Sequence, residues 1–191
     1  PGEITSWQDL LDPKWKGKME MNDPRTGSGP GAAGMGIWMK LGEDFWKKMA
    51  AQSILLNINY QLPVDDVVHG AKLVTLLPAY PQLITAIQAG APVKVVHLKE
   101  GTSYYLNGMA FMKNAPHPNA AMVLLNWLYS AQGQTAIGKA AKTFTVRSDL
   151  QETWLGIPEL NQSTFTFVDP PNNLDPQNGP RGAAFAKTVF G

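Results

Sequence analysis

The stretch Lys18–Gly42, KMEMNDPRTGSGPGAAGMGIWMKLG, decides the fold. Lys18–Met21 alternates well enough to form a strand, and the apolar run AAGMGIWMKLG reads as a helix. Between them, Asn22–Gly31 (NDPRTGSGPG) is dense in turn formers. A strand feeding a Gly/Ser/Thr-rich turn and then a helix leaves backbone N–H groups free at the helix start. Their geometry and the helix dipole favour an anion there. Gly27 and Gly29 permit close backbone approach, Thr26 and Ser28 add hydroxyls, and Arg25 offers a planar, bidentate charge to a carboxylate or phosphate. The loop is not a Walker A motif, because GxxxxGK[ST] and its lysine are missing. The plainer reading of the same residues is a solvated turn with a serine cap.

Working outward, Ser6 caps a short turn, WQDLLD, that Pro13 ends. Glu43–Ala51 is a helix with acidic residues in its first turn and Lys47 and Lys48 towards its end, which suits the helix dipole. Ser53–Ile58 is a buried strand. A helix with Pro63 at its start follows, running through Asp65, Asp66 and Val68 to a stop at Gly70. Leu73–Leu77 is the next strand and Pro81–Ala89 the next helix, stopped by Gly90. Val93–Leu98 and Tyr104–Lys113 are read as two more strands. Strands separated by single helices imply crossover connections, hence an α/β fold with a mixed, mainly parallel sheet flanked by helices. After Lys113 the alternation stops. Pro118 opens a helix whose apolar residues cover more than one face, GQTAIGKAA is helix-like, and TFTVRSDL is extended. Asp169–Pro180 is loop or linker, and AAFAKTVF is a short terminal helix.

The 191 residues are 44% hydrophobic and 16% charged, enough apolar material for a core. A formal net charge of +1 with no Lys/Arg run gives no field to steer the chain to nucleic acid. The absence of cysteine removes disulfides, thiolate nucleophiles and Cys-based metal sites together. Apolar runs such as that around Ala120–Leu125 fall far short of the ~20 residues a membrane helix needs. His69, His97 and His117 stand in no ligand spacing, so neither metal nor cofactor is expected. No GxSxG elbow is present, and Asp65 and Asp66 read as helix-dipole partners. An enzyme is therefore not expected. The competing reading is a small transferase or hydrolase that holds a phosphorylated substrate in the Gly/Ser loop.

In open α/β sheets, ligands bind beyond the carboxyl ends of the strands. Asn59, Tyr60 and Gln61 follow one strand, and Pro78, Ala79 and Tyr80 follow another. A tyrosine there supplies a polar oxygen on an apolar ring. The candidate ligand-binding set is Arg25, Thr26, Gly27, Ser28, Gly29, Tyr60, Gln61, Tyr80 and Tyr105.

Seven collinear stretches carry a resemblance. They are SWQDLLDPKWKGK, MEMNDPRTGSG, LGEDFWKKMAAQ, the helix ending VVHG, GAPVKVVHLKEGT, NGMAFMKNAPHPNAAMVLLNWLYSAQGQ and TFTVRSDL. Together they resemble the bacterial extracellular (periplasmic) solute-binding proteins of ABC importers, specifically the ferric-ion-binding-like group. The resemblance implies a periplasmic or extracellular receptor, lipid-anchored in some full-length forms, whose two lobes clamp a solute for a membrane permease. On that template residues 1–103 form the second lobe, 104–150 a crossing strand and helices of the first lobe, and 151–191 a tail returning to the second. It also implies a further lobe-forming segment upstream, so the chain reads as a fragment. Its apolar helix AAMVLLNWLY is then expected to self-associate or swap between copies. Thr26–Gly29 match the anion-holding helix-start loop of the iron-binding members. Tyr80 lies near their pair of adjacent tyrosines, but Leu-Leu-Pro-Ala-Tyr has no such pair here, and Tyr104 and Tyr105 fall elsewhere. The implied solute is an anion or organic acid rather than ferric ion.

Overall fold

The computed structural model describes residues 4–26, 29–104, 106–168, 175 and 177–191. Strands β1 (Met19–Asn22), β2 (Leu55–Asn57) and β3 (Val74–Leu76) form one sheet in the order β2-β1-β3. Both pairings are parallel, with Glu20 opposite Leu55 on one side and Thr75 on the other. Helices α1 (Gly29–Leu41) and α2 (Glu43–Ala50) connect β1 to β2, and α3 (Leu62–Val68) connects β2 to β3. Helix α4 (Tyr80–Gln88) follows β3. This is the expected α/β fold, with crossover helices where parallel strands demand them.

Alternation along each strand separates two faces. Met19, Met21, Leu56, Val74 and Leu76 join Trp7, Ile37, Trp38, Trp46 and Met49 in the main core. Trp46 sits at its centre, edge-on to Trp7 at 5.4 Å and to Trp38 at 6.1 Å. Helix α7 (Asn178–Phe190) lies along α1 and stacks Phe185 on Trp38 at 5.8 Å. The opposite face carries Glu20, Asn22, Asn57 and Thr75; α3, with Val64 buried, packs on β1 and β3, and α4, with Ile84 buried, packs on α3.

Local chemistry explains the element ends. Ser6 accepts from the Gln8 N–H while Asp9 accepts from the Ser6 N–H, a capping box that fixes the Trp7–Leu11 turn as expected. In α2, Glu43 pairs with Lys47 at 2.6 Å on the exposed face while Phe45, Trp46 and Met49 are buried. Gly36 lets α1 touch the returning chain: a Cβ there would lie 2.1 Å from the Val168 carbonyl oxygen.

Three sequence expectations are corrected. Val93–Leu98 is not a strand, and neither are the described residues of Tyr104–Lys113. The pairing nearby is a single parallel bridge, Thr102 with Phe167, made by Thr102 N–H to Thr166 O (2.9 Å) and Val168 N–H to Thr102 O (2.8 Å). A β-prone run becomes a strand only where it joins a ladder, and neither segment joins this sheet. Asn178–Pro180, read as linker, belong to α7, since proline is tolerated in a first helical turn.

The chain divides into two compact units, residues 1–106 with 165–191, and residues 107–164. The second contains α5 (Pro118–Leu128) and α6 (Ala131–Ala141). Ser130 caps α6 by accepting from Gly133 N–H. Buried Gln134 ties this unit together, donating to Leu128 O at 2.9 Å and accepting from Thr145 Oγ1 at 3.0 Å and Val146 N–H at 3.3 Å. Glu152 accepts from the Thr145 N–H at 2.7 Å. No residue of α5 is buried, and Met122, Val123, Leu124 and Trp127 are exposed.

Candidate functional site

Because all three strands run parallel, their carboxyl ends share one edge of the sheet. Asn22 closes β1 opposite Asn57 of β2, and the β1 ladder continues one bond further, from the Asp23 N–H to the Asn57 carbonyl at 2.9 Å. The buried Asn22 amide donates to the carbonyls of Asn59 (3.0 Å) and Asn57 (3.4 Å), fastening the chain leaving β2 to the middle strand. That exit is two successive Asx turns. Asn57 Oδ1 accepts from Asn59 N–H at 3.0 Å, and Asn59 Oδ1 from Gln61 N–H at 2.8 Å. They hold Tyr60 outward, 42% exposed, and deliver Gln61 to the start of α3, where its amide donates to Asp65 Oδ1 at 2.8 Å.

The exit from β3 bends sharply at Leu77, a bulky residue with φ of 47°. Left-handed backbone is unfavourable for such a side chain. The bend is held by packing Leu77 on the core and lets Pro78 and Ala79 lead directly into α4. Tyr80, the first residue of α4, meets Phe165 edge-on at 6.2 Å. Phe165 also meets His97 at 4.6 Å and stacks on Phe167 at 5.6 Å, and Phe167 meets Tyr104 at 5.1 Å. Tyr80 therefore ends an aromatic ridge whose two central rings come from the returning segment.

The β1 exit has a different electrostatic character from the one its composition suggests. Arg25 turns back on Asp23, with Nε 2.9 Å from Oδ1 and Nη2 2.8 Å from Oδ2. Its Nη1 donates to the Gly191 carbonyl at 2.7 Å. The guanidinium holds the Asp23 carboxyl below the usual carboxylate range. Its bidentate edge is thus occupied inside the protein, and Arg25 acts on the loop rather than as an open anion clamp. Thr26 Oγ1 donates to the Asp23 carbonyl at 3.1 Å. Gly29 begins α1, so the first-turn N–H groups that no intrahelical carbonyl can satisfy stand directly after this loop. Pro30 contributes no donor, and Gly31 and Ala32 present no long side chain.

The strand order thus brings Arg25, Thr26, Gly29, Tyr60, Gln61 and Tyr80 to exits on one sheet edge. Gly27, Ser28 and Tyr105 lie outside the described residues. Asn22, Asp23, Asn57, Phe165 and Phe167 shape the site without having been singled out from sequence. The Asn-x-Asn spacing of residues 57 and 59 and the alternation in Phe165-Thr166-Phe167-Val168 are the signals they leave. Among the described residues no group of three or more His, Cys, Asp or Glu could hold a metal ion. No helix of those residues is long and apolar enough to cross a membrane.

Comparison with known proteins places this geometry. Residues 1–140 match the family model for bacterial extracellular solute-binding proteins. A Haemophilus influenzae protein recorded as uncharacterized is 25% identical over 145 residues, 73% of this chain and 41% of that protein. The periplasmic binding protein AfuA of Actinobacillus pleuropneumoniae, solved with exogenous fructose-6-phosphate bound, superposes with a TM-score of 0.70 at 20% identity. All of this chain is covered there, and 59% of AfuA. A Bordetella ferric binding protein gives a TM-score of 0.67 at 20% identity, over 98% of this chain and 63% of that one. The chain therefore spans less than two thirds of each of these proteins. With the family model covering most of its length, the chain belongs to the bacterial extracellular solute-binding proteins.

Proposed function

We propose that this chain is the solute-capturing part of an ABC importer's binding protein. It takes a small anion at the carboxyl edge of its parallel sheet for delivery to a membrane permease. The carrying observation is that the β1 exit leads directly into α1 on the edge where β2 and β3 also end. First-turn N–H groups, which have no intrahelical carbonyl to pair with, and the helix dipole favour negative charge there. Thr26, Tyr60, Gln61 and Tyr80 supply polar atoms and ring surface around it, and the Asp23–Arg25 pair, neutral overall, holds the loop. A phosphate ester fits this set better than ferric ion, since no group of three or more His, Cys, Asp or Glu that could hold a metal ion stands among the described residues. The sugar phosphate bound to AfuA has the same chemistry. Binding proceeds without bond-making. The solute is held between lobes of the full-length protein outside the cytoplasmic membrane, and its differential affinity for the closed form drives closure.

Amide NMR of the chain titrated with fructose-6-phosphate, inorganic phosphate and fructose tests this reading. The Thr26, Gly29 and Gly31 amides should move with both phosphates and stay in place with fructose. Equal movement with fructose, or none with either phosphate at millimolar concentration, overturns it.

A further inference from the structure

A serine hydroxyl from a distant part of the chain enters the backbone of α1. Ser103 Oγ accepts from the Ile37 N–H at 2.6 Å and donates to the Gly34 carbonyl at 3.4 Å. An N–H in mid-helix ordinarily donates to the carbonyl four residues before it, and a side chain inserted into that ladder bends or loosens the helix. Gly34 and Gly36 make the entry possible. A Cβ on Gly36 would lie 3.2 Å from Ser103 Oγ and 2.1 Å from the Val168 carbonyl oxygen, and one on Gly34 would lie 2.2 Å from the buried Trp38 ring. Glycine is also the weakest helix former after proline, so α1 has a joint at residues 34–37.

The two sides of the joint differ. Beyond it, Ile37 and Trp38 are sealed in the tryptophan core, and Phe185 of α7 stacks on Trp38. Before it stand the first-turn amides that follow β1, with Gly29 about 12 Å along the helix from Ile37. Helix α7 packs along α1, and Ser103 adds a directional bond at the joint itself. Ser103 is firmly seated in turn. Thr102 makes the bridge to Phe167, and the Gly101 carbonyl accepts from Trp7 Nε1 at 3.1 Å. The Glu100 carbonyl accepts from Lys40 Nζ at 2.6 Å, and the Glu100 carboxylate from the Trp7 N–H at 3.0 Å. The chain passes into the second compact unit after Leu106 and re-enters the first at Phe165. One connection thus follows shortly after Ser103, and the other precedes Phe167.

We propose that Ser103 is a positioning residue for the solute site. Its hydroxyl pins the joint of α1 to these chain connections, so that the amides at the helix start and the connections shift together. The positioning role rests on the solute site proposed above at the start of α1, whereas the pin does not. A solute that draws the first turn of α1 towards itself displaces Ser103, and through Thr102 it displaces the strand that carries Phe167 and Val168. Movement of the connections re-aims the first-turn amides by the same route.

Amide NMR and hydrogen exchange of the 191-residue chain and its Ser103→Ala variant test this, first without solute and then with inorganic phosphate. Without solute, the substitution should shift the Gly29 and Gly31 resonances and lower protection of the Gly34 and Met35 amides about fivefold relative to β1. With phosphate, the Ser103 and Val168 amides of the unaltered chain should move in step with those of Thr26, Gly29 and Gly31. In Ser103→Ala the Val168 amide should stay in place. Ser103→Thr, which keeps the hydroxyl, should match the unaltered chain. If Ser103→Ala does not fold, Ser103→Cys, whose thiol is a weaker hydrogen-bond partner, must show the same changes. Shifts confined to residues 34–37 and 102–104, unchanged protection, a Val168 response that survives in Ser103→Ala, or a threonine variant that matches the alanine one overturns the proposal. Phosphate that moves Thr26, Gly29 and Gly31 but not Ser103 and Val168 sinks the pin and leaves the solute reading standing. Phosphate that moves none of them sinks the solute reading and the positioning role with it, and the solute-free comparison then decides the pin.

Discussion

Arg25 and Asp23, two residues apart, form a forked pair with Nε–Oδ1 at 2.9 Å and Nη2–Oδ2 at 2.8 Å. The Asp23 side chain is only 11% exposed, so this pair is better shielded than the surface ion pairs elsewhere in the chain. It converts a residue suited to binding a ligand anion into a brace for the loop. Removing the charge by Asp23→Asn should destabilise the fold by about 2 kcal/mol in urea unfolding at neutral pH. The folded-state pKa of Asp23 lies below its ordinary 3.8. Its contribution is therefore present above the unfolded value and is lost as pH falls through the lower, folded one. The Asp23→Asn difference should shrink at acid pH, and a difference independent of pH would contradict the brace.

Gly36 marks the contact between α1 and the returning segment. A methyl group there would sit 2.1 Å from a backbone oxygen, which cannot swing away as a side-chain tip can. Gly36→Ala should therefore lower stability by about 1–3 kcal/mol, despite alanine's better helix propensity. An unchanged thermal midpoint would mean that α1 lies further from Val168.

Ser53 ends the turn after α2 with φ of 56° and an exposed side chain. Glycine has no steric penalty in that conformation, and Ser53 has no buried packing to lose. Ser53→Gly should raise stability by up to about 1 kcal/mol. Denaturant unfolding with an unchanged m-value is the check.

Gln134 supplies three hydrogen bonds within residues 107–164. Gln134→Ala leaves the Leu128 carbonyl and the Val146 N–H short of partners and should cost about 2–3 kcal/mol. Amide exchange should show the loss confined to residues 107–164, leaving β1 protection intact.

Much of this architecture was legible in the chain, for local reasons. The β1–turn–α1 passage, the Ser6 cap, the dipole-matched ends of α2 and the stops at Gly70 and Gly90 are signals carried by a few adjacent residues. Val93–Leu98 and Tyr104–Lys113 misled for the opposite reason. Their apolar alternation records a capacity for pairing that neither segment uses in the sheet β2-β1-β3. The strand-end rule brought out Tyr60, Gln61 and Tyr80 because it needs only strand order. It could not show that Arg25 would fold back on Asp23, nor that Phe165 would return from far along the chain to meet Tyr80 and His97 and Phe167 to meet Tyr104.

The strand made first is the one both others require. β1 emerges from synthesis long before β2 and β3, yet it is flanked by both, and neither neighbour can reach it through a hairpin. Its row of amides must wait for helical crossovers to close on either side. Assembly of the sheet is accordingly governed by loop closure over long separations, and refolding should be slow for a chain so rich in helix.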